Sequence, residues 1–297
     1  MRTNMSLQKY EAILRAYELN SLTKAGAELG ISQSAVSHMI NSAEESFGFK
    51  ILKRSRAGVK LTPEGEKIIK HIRAVLNEHN ALMDAAMNIK GLEGGRLRIG
   101  SFSSVAVHWL PQLIKEFSGD YPDIELRLLN GDYHDVENWI TEGEVDLGFI
   151  SLPSDIKGKK IALYEDRLLA ILPKNHTYAK EKVFPIRAVS NESFISLLQS
   201  SDHDARKALK TVGIEPNVKY ETKDDYAIIA MVEQGLGISI MPELLLVGFE
   251  EKNIAKLPLL PPVSRTIGLC ITEGDKAGPA ALKFSEYVER FIRNNYR

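Results

Sequence analysis

Apolar residues at helical spacing open the chain in three short runs. Leu7, Tyr10, Ile13, Leu14 and Tyr17 recur every three or four positions behind Ser6, which predicts an N-capped helix. After the break at Asn20 and Ser21, TKAGAELG puts Ala25 and Leu29 on one side and offers Gly30 as a stop. Val36, Ile40, Ala43 and Phe47 then repeat at intervals of four, three and four, with Ser32 as the predicted cap. The other face of this third helix collects Ser34, Ser37, His38 and Asn41, which are short and mostly uncharged. A face that merely meets water usually carries Lys, Glu and Arg. Two helices joined by a Gly-containing turn predict a helix-turn-helix, whose second helix lies in a DNA major groove. Side chains that are short and can both donate and accept suit base edges there, Gln33 and Asn41 being adenine readers by type.

Past Phe47, FKIL and GVKLT read as two short strands with a basic loop between them, the layout of a wing. Residues 1–65 hold nine Lys or Arg against six Glu and no Asp, a net +3 within a chain whose total is −1. Lys53, Arg54 and Arg56 are therefore expected at the DNA backbone or in the minor groove. The DNA-facing set is completed by Ser32, Gln33, Ser34, Ser37, His38 and Asn41 on the helix.

Thr62 and Pro63 then signal a new helix start. Ile68, Ile72, Val75, His79, Leu82, Ala86 and Ile89 recur at helical spacing until Gly91, predicting a helix of roughly 27 residues, about 40 Å long. A single apolar stripe of that length needs cover. Pairing with the same helix of a second subunit through Ile68, Ile72, Val75, Leu82 and Ile89 is the expectation, and packing on its own chain is the alternative. GLEGG (91–95) reads as a joint. The predicted division is 1–61 for the winged helix-turn-helix, 62–91 for the linker helix and 92–297 for a larger C-terminal domain.

From Arg96 short strands alternate with helices. LRIGS, DIELRLLN, DLGFIS, RLLAIL, SFISL, NVKYE, GISIM and TIGLCIT are the strands, and helices fall near 104–118, 134–142, 203–212, 224–234 and 278–294. The pattern predicts an α/β domain with a largely parallel sheet.

The stretch SLTKAGAELGISQSAVSHMINSAEESFGFKILKRSRAGVKLTPEGE resembles the winged helix-turn-helix of LysR-type transcriptional regulators, and the resemblance covers essentially the whole chain. It departs where the family commonly has Arg then Gln after Ala-Val-Ser. Here stand His38 and Met39, and His38 is shorter and largely neutral at pH 7. The resemblance implies a two-lobed effector domain like a periplasmic binding protein, crossing between lobes near 151–164 and 260–265. Lobe I would hold about 92–161 and 266–297, including the last helix, and lobe II about 162–265. It further implies a homodimer or homotetramer. The interlobe cleft would be lined by Ser101, Phe102, Ser103, Ser104, Ser151, Ser200, Ser201, Thr222 and Lys223. Hydroxyls and helix N-termini there favour a small carboxylate or other oxyanion as effector.

Composition changes little: 44% hydrophobic and 26% charged residues are those of an ordinary globular protein. No run of about 18 apolar residues occurs and the N-terminus lacks a signal-peptide pattern, so a cytoplasmic protein is expected. With Cys270 the sole cysteine, an internal disulfide is impossible and a cysteine zinc site is not expected. No Rossmann, P-loop, HExxH or GxSxG spacing appears. Asp202, His203 and Asp204 read as a helix N-terminus. Neither enzymatic activity, cofactor nor metal is expected. The competing classes are a solute-binding protein with an accessory helical head, which needs a signal peptide, and an α/β enzyme fused to a DNA-binding module, which needs a catalytic constellation.

Overall fold

The computed structural model describes residues 5–55, 57–88, 95–198, 204–272 and 277–296. The chain divides into two compact units, 1–89 and 90–297.

In the first unit α1 (Leu7–Glu18), α2 (Leu22–Glu28) and α3 (Gln33–Phe47) are followed by the hairpin β1 (Leu52–Ser55) and β2 (Gly58–Leu61), then by α4 (Pro63–Asn88). The core joins Ile13 and Ala16 of α1 to Val36 and Ile40 of α3 and to Val59 of the hairpin, all buried. Ser21 and Ser32 cap α2 and α3, their hydroxyls accepting from the Lys24 and Ala35 N–H at 3.3 and 3.2 Å. Ser6 stands at the N-cap of α1, but its hydroxyl makes no capping bond. Gly26 lets α2 lie on the turn entering α3, since a Cβ there would come within 2.7 Å of the Ile31 carbonyl. The wing is tied to the α1–α2 turn by Asn20, whose Oδ1 accepts from Val59 N–H at 2.6 Å and whose Nδ2 donates to the Ala57 carbonyl at 3.3 Å. Gly58 (φ +113°) turns the hairpin at that point, and a Cβ on it would fall 2.1 Å from the same Asn20 oxygen.

The start of α4 is as the sequence predicts. Thr62 Oγ1 accepts from Gly65 N–H at 2.9 Å and donates to the Lys50 carbonyl at 2.7 Å. Its apolar stripe is not one surface, however. Ile72 is 3% exposed, packed with Ile69 and Leu76 into the core of its own unit, and Ile68 is half-buried against it. Ile72 is therefore closed to a second subunit, since α1 packs on α4 and this side chain is spent in the core of its own unit. Val75 (43% exposed) and Leu82 (65%) are open. Ile89 lies outside the described residues.

In the second unit β3 (Gly95–Ser101), β4 (Ile124–Asn130) and β5 (Leu147–Leu152) pair in parallel, flanked by α5 (Ser103–His108), α6 (Leu110–Asp120) and α7 (Tyr133–Thr141). The helix predicted near 104–118 is two helices, broken at Trp109, with Pro111 opening the second. The strand β6 (Lys159–Pro173) is 15 residues long and serves both lobes. Its first half pairs antiparallel with β12 (Ser264–Ile271), its second half with β10 (Ser239–Pro242) and β11 (Ile254–Leu260). Partners change at Arg167/Leu168, beyond the predicted crossing near 151–164, because nothing in KKIALYEDRLLAILP interrupts the extended chain. The return crossing lies between β11 and β12, within the predicted range. The sheet is accordingly mixed rather than largely parallel: β4-β3-β5-β12-β6-β11-β7, where β7 (Phe184–Pro185) is a short edge strand. Lobe II also holds the parallel pair β8 (Ser193–Leu197) and β9 (Asn217–Thr222), with α8 (Asp204–Thr211) and α9 (Asp225–Glu233). The last helix, α10 (Pro279–Asn295), returns to lobe I, burying Phe284, Val288 and Phe291 with Trp109 and Phe117.

Candidate functional site

On the first unit, Ser32, Gln33, Ser34 and His38 are exposed along α3, and Ser37 and Asn41 are half-buried. Ser32 and Ser34 share a hydrogen bond of 2.8 Å. Lys53 and Arg54 extend from β1, both exposed, whereas Arg56 lies outside the described residues. Arg54 does not point freely to solvent: Nη1 donates to Ser37 Oγ at 2.8 Å and Nη2 to Asn41 Oδ1 at 3.0 Å. Strand β1 and helix α3 are locked together a second time by Glu44, which the sequence reading passed over. It is 4% exposed, and its Oε1 accepts from the Ile51 and Leu52 N–H groups at 2.9 and 3.0 Å while Oε2 accepts from Lys50 Nζ at 2.7 Å. Burial alone would raise this carboxyl. The bonds from Lys50, Leu52 and Ile51 outweigh it and hold the group below its ordinary 4.5.

A carboxyl depressed in the folded state stabilises at pH above its unfolded value, and that stability is lost as pH falls through the folded value. The winged unit is expected to lose stability below about pH 4.5. Glu44→Ala, which leaves two buried N–H donors unpaired, is expected to cost about 2–4 kcal/mol at neutral pH and to flatten that acid limb. Thermal melts across pH check both.

Between the lobes of the second unit lies a cleft enclosing about 610 Å³, including its solvent-open mouth. Phe102, Ser103 and Ser104 line it from lobe I. Lys223 stands with Ser103 and Asp132 around an adjoining opening. Ser101, Ser151 and Thr222 do not line it. Ser101 is buried at the end of β3, its hydroxyl without a partner among the described residues, Ser151 faces Ile267 across the β5–β12 ladder, and Thr222 Oγ1 accepts from the Asp224 N–H at 3.2 Å. Ser200 and Ser201 lie outside the described residues.

The centre of the cleft is a charged cluster that sequence reading missed. Arg265, 7% exposed at the start of β12, donates through Nε and Nη2 to Asp166 Oδ2 at 2.9 and 2.7 Å. Its Nη2 also donates to Ser104 Oγ at 2.8 Å, and its Nη1 to the Tyr133 hydroxyl and, at 3.4 Å, to Asp204 Oδ2. Tyr133 donates in turn to Asp204 at 2.6 Å. Phe102 stacks its face 5.1 Å from the guanidinium. All five guanidinium N–H groups are thus engaged. Asp166 is 0% exposed; burial raises it, against the opposing pull of Arg265 and the Leu244 N–H. Burial also pushes Tyr133 well above its usual range. Asp225, opening α9 on the facing lobe, lines the same cleft and is raised by burial, which its bond from Ser103 and the Arg265 charge only partly offset. Asp204 opens α8 as the sequence predicts, yet its carboxylate faces this cluster.

The two units match known models in chain order. Residues 7–66 match the model "Bacterial regulatory helix-turn-helix protein, lysR family" and residues 90–292 the model "LysR substrate binding domain". The chain belongs to the LysR family: it is a DNA-binding transcriptional regulator with an effector-binding domain of two α/β lobes, not an enzyme. Among curated relatives, the HTH-type transcriptional regulator YvbU of Bacillus subtilis is 28% identical, with 97% of this chain and 99% of that one covered. The transcriptional dual regulator GltC of the same organism is 27% identical over 97% and 98%. A full-length OxyR variant from Pseudomonas aeruginosa shares the fold, with a TM-score of 0.74 at 22% identity over 98% of this chain and 95% of that one. So does full-length CbnR in complex with its target DNA, at 0.68 and 18% over 97% and 100%. Cys270 is fully buried in β12, its thiol pushed up to about 11 by burial, which keeps it protonated at neutral pH. Among the described residues no helix is long and apolar enough to cross a membrane.

Proposed function

We propose that this regulator answers a small molecule bearing a cationic head, held between the lobes by Asp225 and Asp204, rather than the carboxylate or other oxyanion the hydroxyls suggest. The observation that carries the reading is the saturation of Arg265. An incoming carboxylate would have to displace Asp166, Asp204, Tyr133 or Ser104 from the guanidinium, and would then stand beside buried carboxylates. An ammonium group instead meets Asp225, whose carboxyl has only Ser103 and the field of Arg265 to oppose its desolvation. Lys223, exposed at the mouth, suits an anionic tail on the same ligand. The same proposal has Ser32, Gln33, Ser34, Ser37, His38, Asn41, Lys53 and Arg54 facing double-stranded DNA. Val75 and Leu82 pair α4 in a homodimer or homotetramer, and the protein works in the cytoplasm.

Calorimetry of the full chain against amines and amino acids, and separately against carboxylates lacking nitrogen, tests the ligand class. An ammonium ligand is expected to bind, to lose at least about tenfold in affinity with Asp225→Asn, a change of about 1.4 kcal/mol or more, and to bind more weakly on acidification. The sign follows from Asp225: protonation, which sets in above the ordinary 3.8, removes the charge that the ligand needs. Binding confined to nitrogen-free carboxylates and indifferent to Asp225→Asn would sink the proposal.

A further inference from the structure

The wing arginine lies across two side chains of α3. Ser37 and Asn41 stand one turn apart on a single face, and the planar Arg54 guanidinium spans them as it would the two oxygens of a carboxylate. Among the described residues Arg54 makes no ion pair, and both of its bonds on α3 are to neutral side chains. Lys53 beside it, exposed and with no such bonds among the described residues, has the free ammonium expected of a phosphate contact.

We propose that Arg54 is a specificity-determining positioning residue, fixing Ser37 and Asn41 so that α3 presents hydrogen-bond donors and reads guanine. This rests on the reading of α3 as the helix that enters the major groove. The fork has two effects. Two side chains that would sample several rotamers on a solvated helix are held in one, which lowers the ordering cost of binding. Their polarity is also set. Asn41 Oδ1 and Ser37 Oγ turn lone pairs toward a cation, leaving the Asn41 amide N–H groups, the Ser37 hydroxyl hydrogen and the remaining guanidinium N–H groups facing outward. Guanine offers two adjacent acceptors, O6 and N7, to such a set. Adenine offers N7 beside an N6 donor, which would face the guanidinium charge. Asn41 by itself is an adenine reader; under Arg54 it becomes a guanine reader.

The test uses the full-length protein and a randomised duplex library. Selected duplexes are then titrated at several salt concentrations with wild type, Arg54→Lys, Asn41→Ala and the double variant. Lysine keeps the charge but cannot form the fork, so it separates charge from positioning. The wild type is expected to enrich a motif with a guanine whose preference is lost in both Arg54→Lys and Asn41→Ala. The salt slope of Arg54→Lys should stay that of the wild type, and the double variant should bind within about twofold of the weaker single variant. If Arg54→Lys enriches the wild-type motif, if adenine stands where Asn41→Ala loses its preference, or if the two substitutions combine multiplicatively, the proposal is wrong and Arg54 is a phosphate contact alone. A wild type that enriches no sequence, while circular dichroism shows it folded, overturns the DNA-facing reading of α3 and this inference with it.

Discussion

Arg265→Met is expected to destabilise the effector-binding unit by about 3–5 kcal/mol, because it leaves buried carboxylates without their cation. Asp166 loses both bonds from the guanidinium at 0% exposure, and among the described residues it retains only the Leu244 N–H and Asp204 keeps only Tyr133. Asp166 is already raised by burial, so in the variant it is expected to take up a proton before the unit unfolds. Adding Asp166→Leu should recover much of the loss, since an apolar pair of similar volume avoids the desolvation that the ion pair only balances. Both tryptophans, Trp109 and Trp139, belong to this unit. Fluorescence-detected urea melts of the full chain therefore report on it selectively. A single variant as stable as wild type would mean the cluster is hydrated in solution.

Ile72→Asp should unfold the winged unit, and Leu82→Asp should not. The first puts a carboxylate into a site 3% exposed between Ile69, Leu76 and the core of α1 and α3, a cost of about 4 kcal/mol or more. The second changes a side chain 65% exposed, where a substitution usually moves stability by less than about 0.5 kcal/mol. If α4 pairs subunits through its open stripe, Leu82→Asp weakens self-association in a folded protein, and DNA binding falls with it as two half-sites cease to be held together. Circular dichroism and sedimentation velocity on the same samples separate the two effects. A folded Leu82→Asp protein that associates like the wild type would remove that stripe from the interface.

What was legible in the sequence was local. Ser32 and Thr62 cap helices within three residues of themselves, and Val36, Ile40 and Ala43 mark the buried stripe of α3 by spacing alone. What was not legible joins residues far apart along the chain. Arg54 reaches back 17 residues to Ser37, and Arg265 reaches 99 to Asp166, 132 to Tyr133 and 161 to Ser104. No periodicity carries such pairings, although a lone Arg in SRTIGLCI and a lone Asp before RLLAILP were charged residues beside otherwise apolar strands. Hydroxyls at strand ends are visible in the sequence, but Asp204 and Asp225 reach the same cleft from the facing lobe, and no local pattern places them there. Pro258 interrupts IAKLPLL and masks strand β11 in the pattern, though residues 254–258 run in register with β6 and Leu259 and Leu260 with β7. For Ile72 the helical stripe fixes which residues share a face, not which stretch of that face α1 covers.

The two connections between the lobes differ as places to engineer. A reporter spliced at Arg167/Leu168 would cut a strand that is hydrogen-bonded into both lobes at once, and both sheets would have to reform around it. Between Pro261 and Pro262 the chain is exposed and lies outside any strand, so an insertion there interrupts no ladder. A fluorescent domain placed at that link would sit at the junction of the lobes while leaving the 15-residue strap of β6 whole. That gives a way to watch the effector unit respond to a ligand in living cells before the operator is known.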